Sequence, residues 1–452
     1  MANFAKSQVP QFSVDVYQNK FLPEGGQEVN AIVTVTSTGG GTTGGAPLGT
    51  GAAGSPEDGS GGPGAAVVIM VDCSGSMNYP VAKMDHAREA TAAAIDSLRD
   101  GVEFAVVAGT HHAVDVFPGG RRLATADATN RARAKAALRE LRPNGGTAIG
   151  TWLTLADRLL STARSEIRHG ILLTDGRNEH ESPEALRSAL AAVTGRFTCD
   201  ARGVGTDWEV KEVAQIASAL LGTQDIVADP AGLAADFTGM IEKIMGKGVA
   251  DVSLRLWTPM GAEIRFVKQV APTVEDLTAR RSEAAARTGD YPTGSWGDES
   301  RDYHLCVRVP AAGVGREMLA ARVSLVVPAP GGGAPEVLSQ GPVLAVWTDD
   351  PARSTTIDPQ VAHYTGQAEL AQVIQLGLEA RKLGDVSAAT ARLGRAVQLA
   401  AASGNEDTAK LLSKVVDVVD AATGTVRLKA KVTEADEMTL ETRSTKTVRV
   451  TG

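Results

Sequence analysis

The 452-residue sequence predicts an α/β protein. Its main unit is a mostly parallel sheet with helices on both faces, inserted in a β-sandwich and followed by a C-terminal helical bundle. Three observations carry this prediction. From residue 66 to 247, short continuous apolar runs alternate with segments of helical period. On either side, at 9–37 and 249–350, apolar residues recur every second position, the mark of strands buried on one face. Helical period returns over 359–421. The chain is too long for one ordinary hydrophobic core, and two to four domains are expected.

The elements follow in order. Phe12, Val14 and Val16 alternate with polar residues, as do Ala31, Val33 and Val35, and Pro23-Glu24-Gly25-Gly26 supplies a turn between the two strands. Two strands alone are marginal in water, so this N-terminal pair is expected to join the sandwich formed by 249–350. Residues 39–65 hold twelve glycines and no aromatic residue, a flexible linker by composition. Ala66 to Val71 is a strand buried on both faces. Met84, Ala87, Ala90, Ala94 and Leu98 mark the helix after it. Glu103–Ala108 and Ala113–Phe117 read as strands joined by a hairpin at Gly109-Thr110-His111-His112. Helices at about 127–142 and 149–164 precede the buried strand Gly170–Thr174. Helix Pro183–Val193, strand Phe197–Gly203, helix Trp208–Leu221, strand Asp225–Ala228 and helix Leu233–Met245 complete the unit. Such βα repetition implies a parallel sheet. Further strands are expected at Val252–Trp257, Tyr303–Val309, Ala321–Val327 and Val343–Trp347. The helical region, 357–422, divides into three helices at Leu383-Gly384-Asp385 and Ser403-Gly404-Asn405. In the last of these, Ala409, Leu412, Val415, Val416 and Val419 form one apolar stripe. The threonine-rich end, 425–452, reads as a strand or tail. There Thr439, Thr442, Ser444, Thr445 and Thr447 are candidate phosphorylation sites, with an ordinary edge strand the favoured reading.

Composition narrows the function. Hydrophobic residues make up 43% and charged residues 22%, a globular balance. A net charge of −8 argues against general nucleic-acid or anionic-membrane binding. Aromatics at 4% leave few stacking platforms for single strands. Cys73, Cys199 and Cys306 lie far apart with no CxxC, and read as buried thiols in a reducing compartment. No apolar signal segment opens the sequence, and the longest apolar run is too short to span a bilayer, so a cytoplasmic location is expected.

The chemistry concentrates at three places. The strand Val67–Val71 ends in Asp72-Cys73-Ser74-Gly75-Ser76, a DxSxS sequence. Asn144-Gly145-Gly146-Thr147 lies between two helices, and Leu172-Leu173-Thr174-Asp175-Gly176 closes another buried strand. In an open parallel sheet, sites form beyond the carboxyl ends of the strands, where Asp72 and Asp175 both fall. DxSxS alone is a weak signal, and its hydroxyls could merely cap the helix starting near Pro80. The three elements together, each correctly placed in a βα pattern, are specific.

This combination resembles the metal-ion-dependent adhesion site of von Willebrand A and integrin I domains, over residues 66–247. The resemblance implies that Ser74, Ser76 and Thr147 supply hydroxyl oxygens to a metal and that Asp72 and Asp175 supply carboxylates, some through water. Mg²⁺ suits such a set, with Mn²⁺ or Ca²⁺ as alternatives. It wants about six oxygens, and two aspartates balance its charge. One position is left for a partner's anionic oxygen, so the implied partner is a protein presenting Asp or Glu. By the same resemblance, the Thr147 hydroxyl joins the metal when a ligand is engaged.

Other residues weigh less. Cys73 reads as a packed thiol, and His111-His112 lacks HExxH spacing. Both His111-His112 and Arg177-Asn178-Glu179-His180-Glu181 could line the rim of the binding face, though for the latter a solvated loop is an equal reading. No GxxxxGK[ST], GxSxG or plausible Ser-His-Asp pairing is found. Ser295-Trp296-Gly297 and Arg301-Asp302-Tyr303-His304-Leu305 resemble a stretch that follows A domains in actinobacterial cytoplasmic proteins, relatives often linked with Ser/Thr-kinase signalling. The expected function is metal-dependent protein binding or scaffolding, without enzymatic activity. The alternatives are a Mg²⁺-dependent hydrolase, for which no general base can be named, and a structural protein stabilised by its metal.

Overall fold

Alternation of apolar and polar side chains makes the first residues strands, and the structure, a computed structural model, describes residues 11–39, 64–329 and 333–449. Apart from its ends, the expected linker at 39–65 lies outside the described residues. Strand β1 (Gln11–Gln18) pairs antiparallel with β3 (Glu28–Thr38), Val14 opposite Val35 and Val16 opposite Val33, with the short β2 (Phe21–Leu22) between them.

In the α/β unit, β4 (Ala65–Asp72) is followed by α1 (Ala82–Ser97), β5 (Glu103–Gly109), β6 (Ala113–Phe117) and β7 (Ala124–Thr125). Next come α2 (Ala128–Leu138), α3 (Ile149–Leu160), β8 (Ile167–Thr174), α4 (Pro183–Val193) and β9 (Thr198–Val204). The unit closes with α5 (Val210–Ala219), β10 (Gln224–Val227) and α6 (Leu233–Met245). The strand order is β10-β9-β8-β4-β5-β6. All pairs in this path are parallel except β5 with β6, the expected hairpin. Strand β4 is buried along its whole length because helices cover both of its faces, which is why its sequence is continuously apolar. On one side Val67, Ile69 and Val71 join a core with Met84, Ala87 and Ala90 of α1 and Phe237, Ile241 and Ile244 of α6. Trp152 of α3 lies flat against Gly109, where any Cβ would fall 2.3 Å from its ring.

A second unit holds the remaining strands: β11 (Lys247–Trp257, whose first residues belong to the α/β unit), β12 (Glu263–Ala271), β13 (Glu275–Asp276) and β14 (Ser282–Ala285). They continue with β15 (Thr288–Gly297), β16 (Glu299–Arg308), β17 (Glu317–Val327) and β18 (Glu336–Trp347). One sheet runs β1-β3-β16-β12-β13, with Val33 opposite Tyr303, and a second runs β14-β15-β11-β17-β18-β2. Strands β1 and β3 therefore hydrogen-bond into a sheet whose other members come from residues 263–308, while β2 pairs with β18 in the second sheet.

Four helices follow: α7 (Pro351–Ser354), α8 (Pro359–Lys382), α9 (Val386–Ala402) and α10 (Glu406–Val415). Asp358, Asp385 and Asn405 cap the last three, and Gly384 and Gly404 take the positive φ that ends α8 and α9. Leu370, Ile374, Leu378, Leu393, Val397 and Leu412 share one core. No helix among the described residues is long and apolar enough to cross a membrane.

Two expectations fail here. The last helix was expected to run to 421, but it stops at Val415, and Val416–Asp420 forms β19, paired with β20 (Thr425–Leu428). The β-branched run Val415-Val416-Asp417-Val418-Val419 prefers extended backbone, and Val419, counted in the helical stripe, is 64% exposed. The threonine-rich end is also not a strand beyond Leu428. Glu434–Arg443 forms α11, begun by Thr433, whose hydroxyl accepts the N–H of Asp436. This cap three residues before an acidic side chain outweighs the β preference of threonine. The candidate phosphorylation sites suffer accordingly: Thr442 and Ser444 are buried, and the Thr439 hydroxyl donates to the Ala435 carbonyl.

Asp302, in the stretch singled out by sequence, ties the C-terminal residues to this unit. Its buried carboxylate accepts from Thr34 Oγ1 (2.6 Å), Tyr364 Oη (2.5 Å), and Arg449 Nε and Nη2 (2.8 and 2.9 Å). Burial and the adjacent carboxylate hold the Tyr364 phenol well above its usual range. Asp302→Ala should cost about 2 kcal/mol, because a buried phenol and a half-buried guanidinium lose their shared acceptor. Limited proteolysis should then cut first after residue 443; an unchanged digestion pattern would count against the anchor.

Candidate functional site

The site grows from the ends of two neighbouring parallel strands. Pairing of β4 with β8 sets Val71 opposite Leu173, so Asp72 and Asp175 emerge side by side. Asp72 Oδ1 accepts the Ser74 N–H at 2.8 Å, and Oδ2 accepts the Thr174 hydroxyl at 2.8 Å. Ser74 Oγ lies 2.9 Å from Ser76 Oγ, which donates to Asp175 Oδ1 at 2.7 Å. The loop carrying Thr147 is stitched to the same place: Gly75 N–H donates to the Gly145 carbonyl, and Asn144 N–H to that of Cys73. Gly176 lies beside Ser76 and Thr147. A Cβ there would stand 3.1 Å from Ser76 Oγ and 3.6 Å from Thr147 Oγ1. The structure thus brings Asp72, Ser74, Ser76, Thr147 and Asp175 to one spot; all but Ser76 are buried.

Lys83, which sequence reasoning passed over, and the candidate rim residues hold this arrangement. Lys83, in the first turn of α1, is 3% exposed and places Nζ 2.5 Å from Asp175 Oδ2, with Asp207 3.5 Å away. A buried lysine needs such a partner, and a lysine beside the apolar Met84 was the available signal. The loop 177–181 is largely exposed, with Arg177, Glu179 and His180 facing solvent, yet it also serves α3. Ala148 cannot cap α3, and the loop does so instead. Asn178 Oδ1 accepts the Ile149 N–H, and Glu181 Oε1 accepts the N–H of Gly150 and the Asn178 amide. His180 brackets Thr147, accepting its N–H at Nδ1 (3.3 Å) and donating its own N–H to the Thr147 carbonyl (2.9 Å). His111 and His180 pack on Gly145 and Gly146, where Cβ atoms would collide with their rings at 2.6 and 2.0 Å.

Electrostatics favour a cation. Burial, and then the charge of Asp175, push the Asp72 carboxyl up to about 6. Two buried carboxylates face one ammonium, leaving net negative charge. Two carboxylates and three hydroxyls form an all-oxygen donor set of the kind that suits a small, hard divalent cation. Among the described residues no three His, Cys, Asp or Glu side chains are grouped to hold a metal. Burial raises the Cys73 thiol to about 12, in keeping with a packed residue in the core.

A threonine–imidazole–carboxylate arrangement occurs among the described residues, with no serine in it. Thr198 Oγ1 lies 2.8 Å from His169 Nδ1, and His169 Nε2 lies 2.9 Å from Asp200 Oδ2. Asp200 Oδ1 accepts both the N–H and the hydroxyl of Thr223. The group therefore ties β8 to β9 and to the turn before β10, as a structural polar network.

A parallel sheet whose central strand ends in DxSxS beside Thr-Asp-Gly defines an A-type α/β domain, and the comparisons agree. The von Willebrand factor type A domain matches residues 65–226, and the von Willebrand factor type A C-terminal domain matches residues 398–444. A solved von Willebrand factor type A protein from Catenulispora acidiphila is 51% identical, covering 99% of each chain, with a TM-score of 0.90. The chain belongs to the von Willebrand factor type A family. The ArnB paralog VWA2 from Sulfolobus acidocaldarius shares the fold at 13% identity and a TM-score of 0.56, over 97% of this chain and 98% of that one. No curated protein matches the chain.

Proposed function

We propose that the protein is a metal-ion-dependent protein-binding or scaffolding module without enzymatic activity. Asp72, Ser74, Ser76, Thr147 and Asp175 would hold Mg²⁺, with Mn²⁺ or Ca²⁺ as alternatives, and a partner's Asp or Glu would complete the site. The observation that carries this is the grouping of two buried carboxylates with three hydroxyls: Asp72 and Asp175 at the ends of adjacent strands, Ser76 hydrogen-bonded to Ser74 and Asp175, and Ser76 and Thr147 both beside Gly176. The cation supplies a positive charge to which a carboxylate binds. The chain's own residues fix the geometry: Ser74 and Thr174 orient Asp72, Ser76 orients Asp175, and His180 holds the Thr147 backbone from both sides. His180 Nδ1 accepts the Thr147 N–H, so this nitrogen serves the loop.

In this reading the α/β unit, 66–247, is inserted in a β-sandwich made of 9–37 and 249–350, followed by a helical bundle at 357–422. A cytoplasmic role linked to Ser/Thr-kinase signalling fits the resemblance of the stretch around Asp302. Titrating Mg²⁺ into the protein by calorimetry tests the core of the proposal. Proton and metal compete for Asp72, whose carboxyl holds its proton below about 6. Affinity should therefore be nearly constant above that pH and fall roughly tenfold per unit below it. An affinity that is flat from pH 5 to 8 would remove Asp72 from the ligand set, and absence of saturable heat would end the metal reading.

A further inference from the structure

Beside the metal loop lies a groove of about 650 Å³ between β6, α3 and α4. Its apolar lining comes from Ala113, Val114, Leu155, Ala185 and Ala189, with Val114 57% exposed. Four charged side chains border it, and they are not equivalent. The Asp115 carboxylate is spent on the N–H groups of Gly119 and Arg121, and that of Glu181 on Gly150 N–H and the Asn178 amide. Arg121 and Arg158 also line the groove, and neither guanidinium makes an ion pair with a described residue. The groove thus offers an apolar floor and two uncommitted positive charges.

The groove adjoins the residues that seat the metal loop. Gly150 and Glu181 line it, Gly150 three residues after Thr147 in the chain and Glu181 next to His180, which accepts the Thr147 N–H.

We propose that this groove selects the partner: an extended protein segment carrying one carboxylate for the metal, small apolar residues for the groove, and a second carboxylate for Arg121 and Arg158. This rests on the metal-dependent reading of the Asp72–Asp175 site. The two guanidiniums favour it: neither has an ion pair with a described residue, whereas the Asp115 and Glu181 carboxylates are held in place by N–H donors. The apolar stretch gives contact area, and the paired charges set register and selectivity.

The test uses the full chain and an array of fluorescent peptides in which two Glu residues are separated by about two to six residues of Ala, Val and Leu. Each has a partner with one Glu changed to Gln. In excess Mg²⁺, at least one doubly acidic peptide should bind about tenfold more tightly than its Gln partners. Arg121→Glu with Arg158→Glu should erase that preference while the heat of Mg²⁺ binding stays as in wild type. Ala185→Trp, at an exposed position, should weaken the same peptide by blocking the groove. Absence of any doubly acidic preference, or its persistence in the charge-reversed protein, overturns the proposal. Failure of the metal reading looks different: peptide binding would then be equal in Mg²⁺ and EDTA but still sensitive to Arg121 and Arg158.

Discussion

Asp72→Ala is expected to abolish Mg²⁺ binding while leaving the fold nearly intact. Asp72 is one of only two carboxylates in the candidate donor set, and its loss leaves one aspartate, already paired with Lys83, against a divalent ion. The effect on folding is a difference of two terms. Removing the carboxylate orphans the Ser74 N–H and the Thr174 hydroxyl, a cost of roughly 1–3 kcal/mol. It also removes a buried charge whose carboxyl is raised from 3.8 to about 6, a penalty of about 3 kcal/mol near neutral pH. The terms nearly cancel, and the sheet is held by apolar strands that the substitution does not touch. Calorimetry should show no saturable heat in the variant, with a denaturation midpoint in EDTA close to wild type. Equal Mg²⁺ heats in both proteins would mean that the five residues do not form a metal site.

Much of this was legible in the sequence, for reasons that reside in particular residues. Ala66–Val71 is readable because a strand buried on both faces has no polar alternation to confuse with a helix end. DxSxS and Thr-Asp-Gly are readable because each set of groups is local in the chain and ends a strand. Lys83 was not, because its partner Asp175 is 92 residues away and a lysine at a helix start usually faces water. The segment 177–181 was read only as a possible rim because Asn178 and Glu181 cap a helix that precedes them in sequence, whereas familiar caps lie just before the helix they serve. At the C-terminus the misreading was one of weight. Threonine density suggested a strand over 425–450, but Thr433 and Asp436 cap a helix whose Leu440 is fully buried. Val415–Val419 erred the other way, since Val415, Val416 and Val419 fit a helical stripe while their branching favours extended chain.

Lys83→Met should give the largest change in stability, and one that depends on metal. In the protein without divalent cation, the ammonium of Lys83 is the buried positive charge beside Asp175. Replacing it with an apolar chain of similar length leaves two adjacent buried carboxylates without compensation, at a cost of roughly 3–5 kcal/mol. That cost should shrink at low pH. The Asp72 carboxyl is raised by burial and by Asp175, so the folded state binds this proton more tightly than the unfolded state does. The strain from its ionisation is therefore absent well below the unfolded value of 3.8 and grows as pH rises through about 6. Mg²⁺ should reverse the ranking, because a divalent ion neutralises both carboxylates and no longer competes with a tethered ammonium. The variant should bind Mg²⁺ about tenfold more tightly than wild type and recover most of its stability in excess metal. Denaturant unfolding at pH 5 and pH 8, each with Mg²⁺ and with EDTA, separates these terms. A loss of stability that is the same in all four conditions would mean that Lys83 contributes only packing at the base of α1, and that its charge has no part in the site.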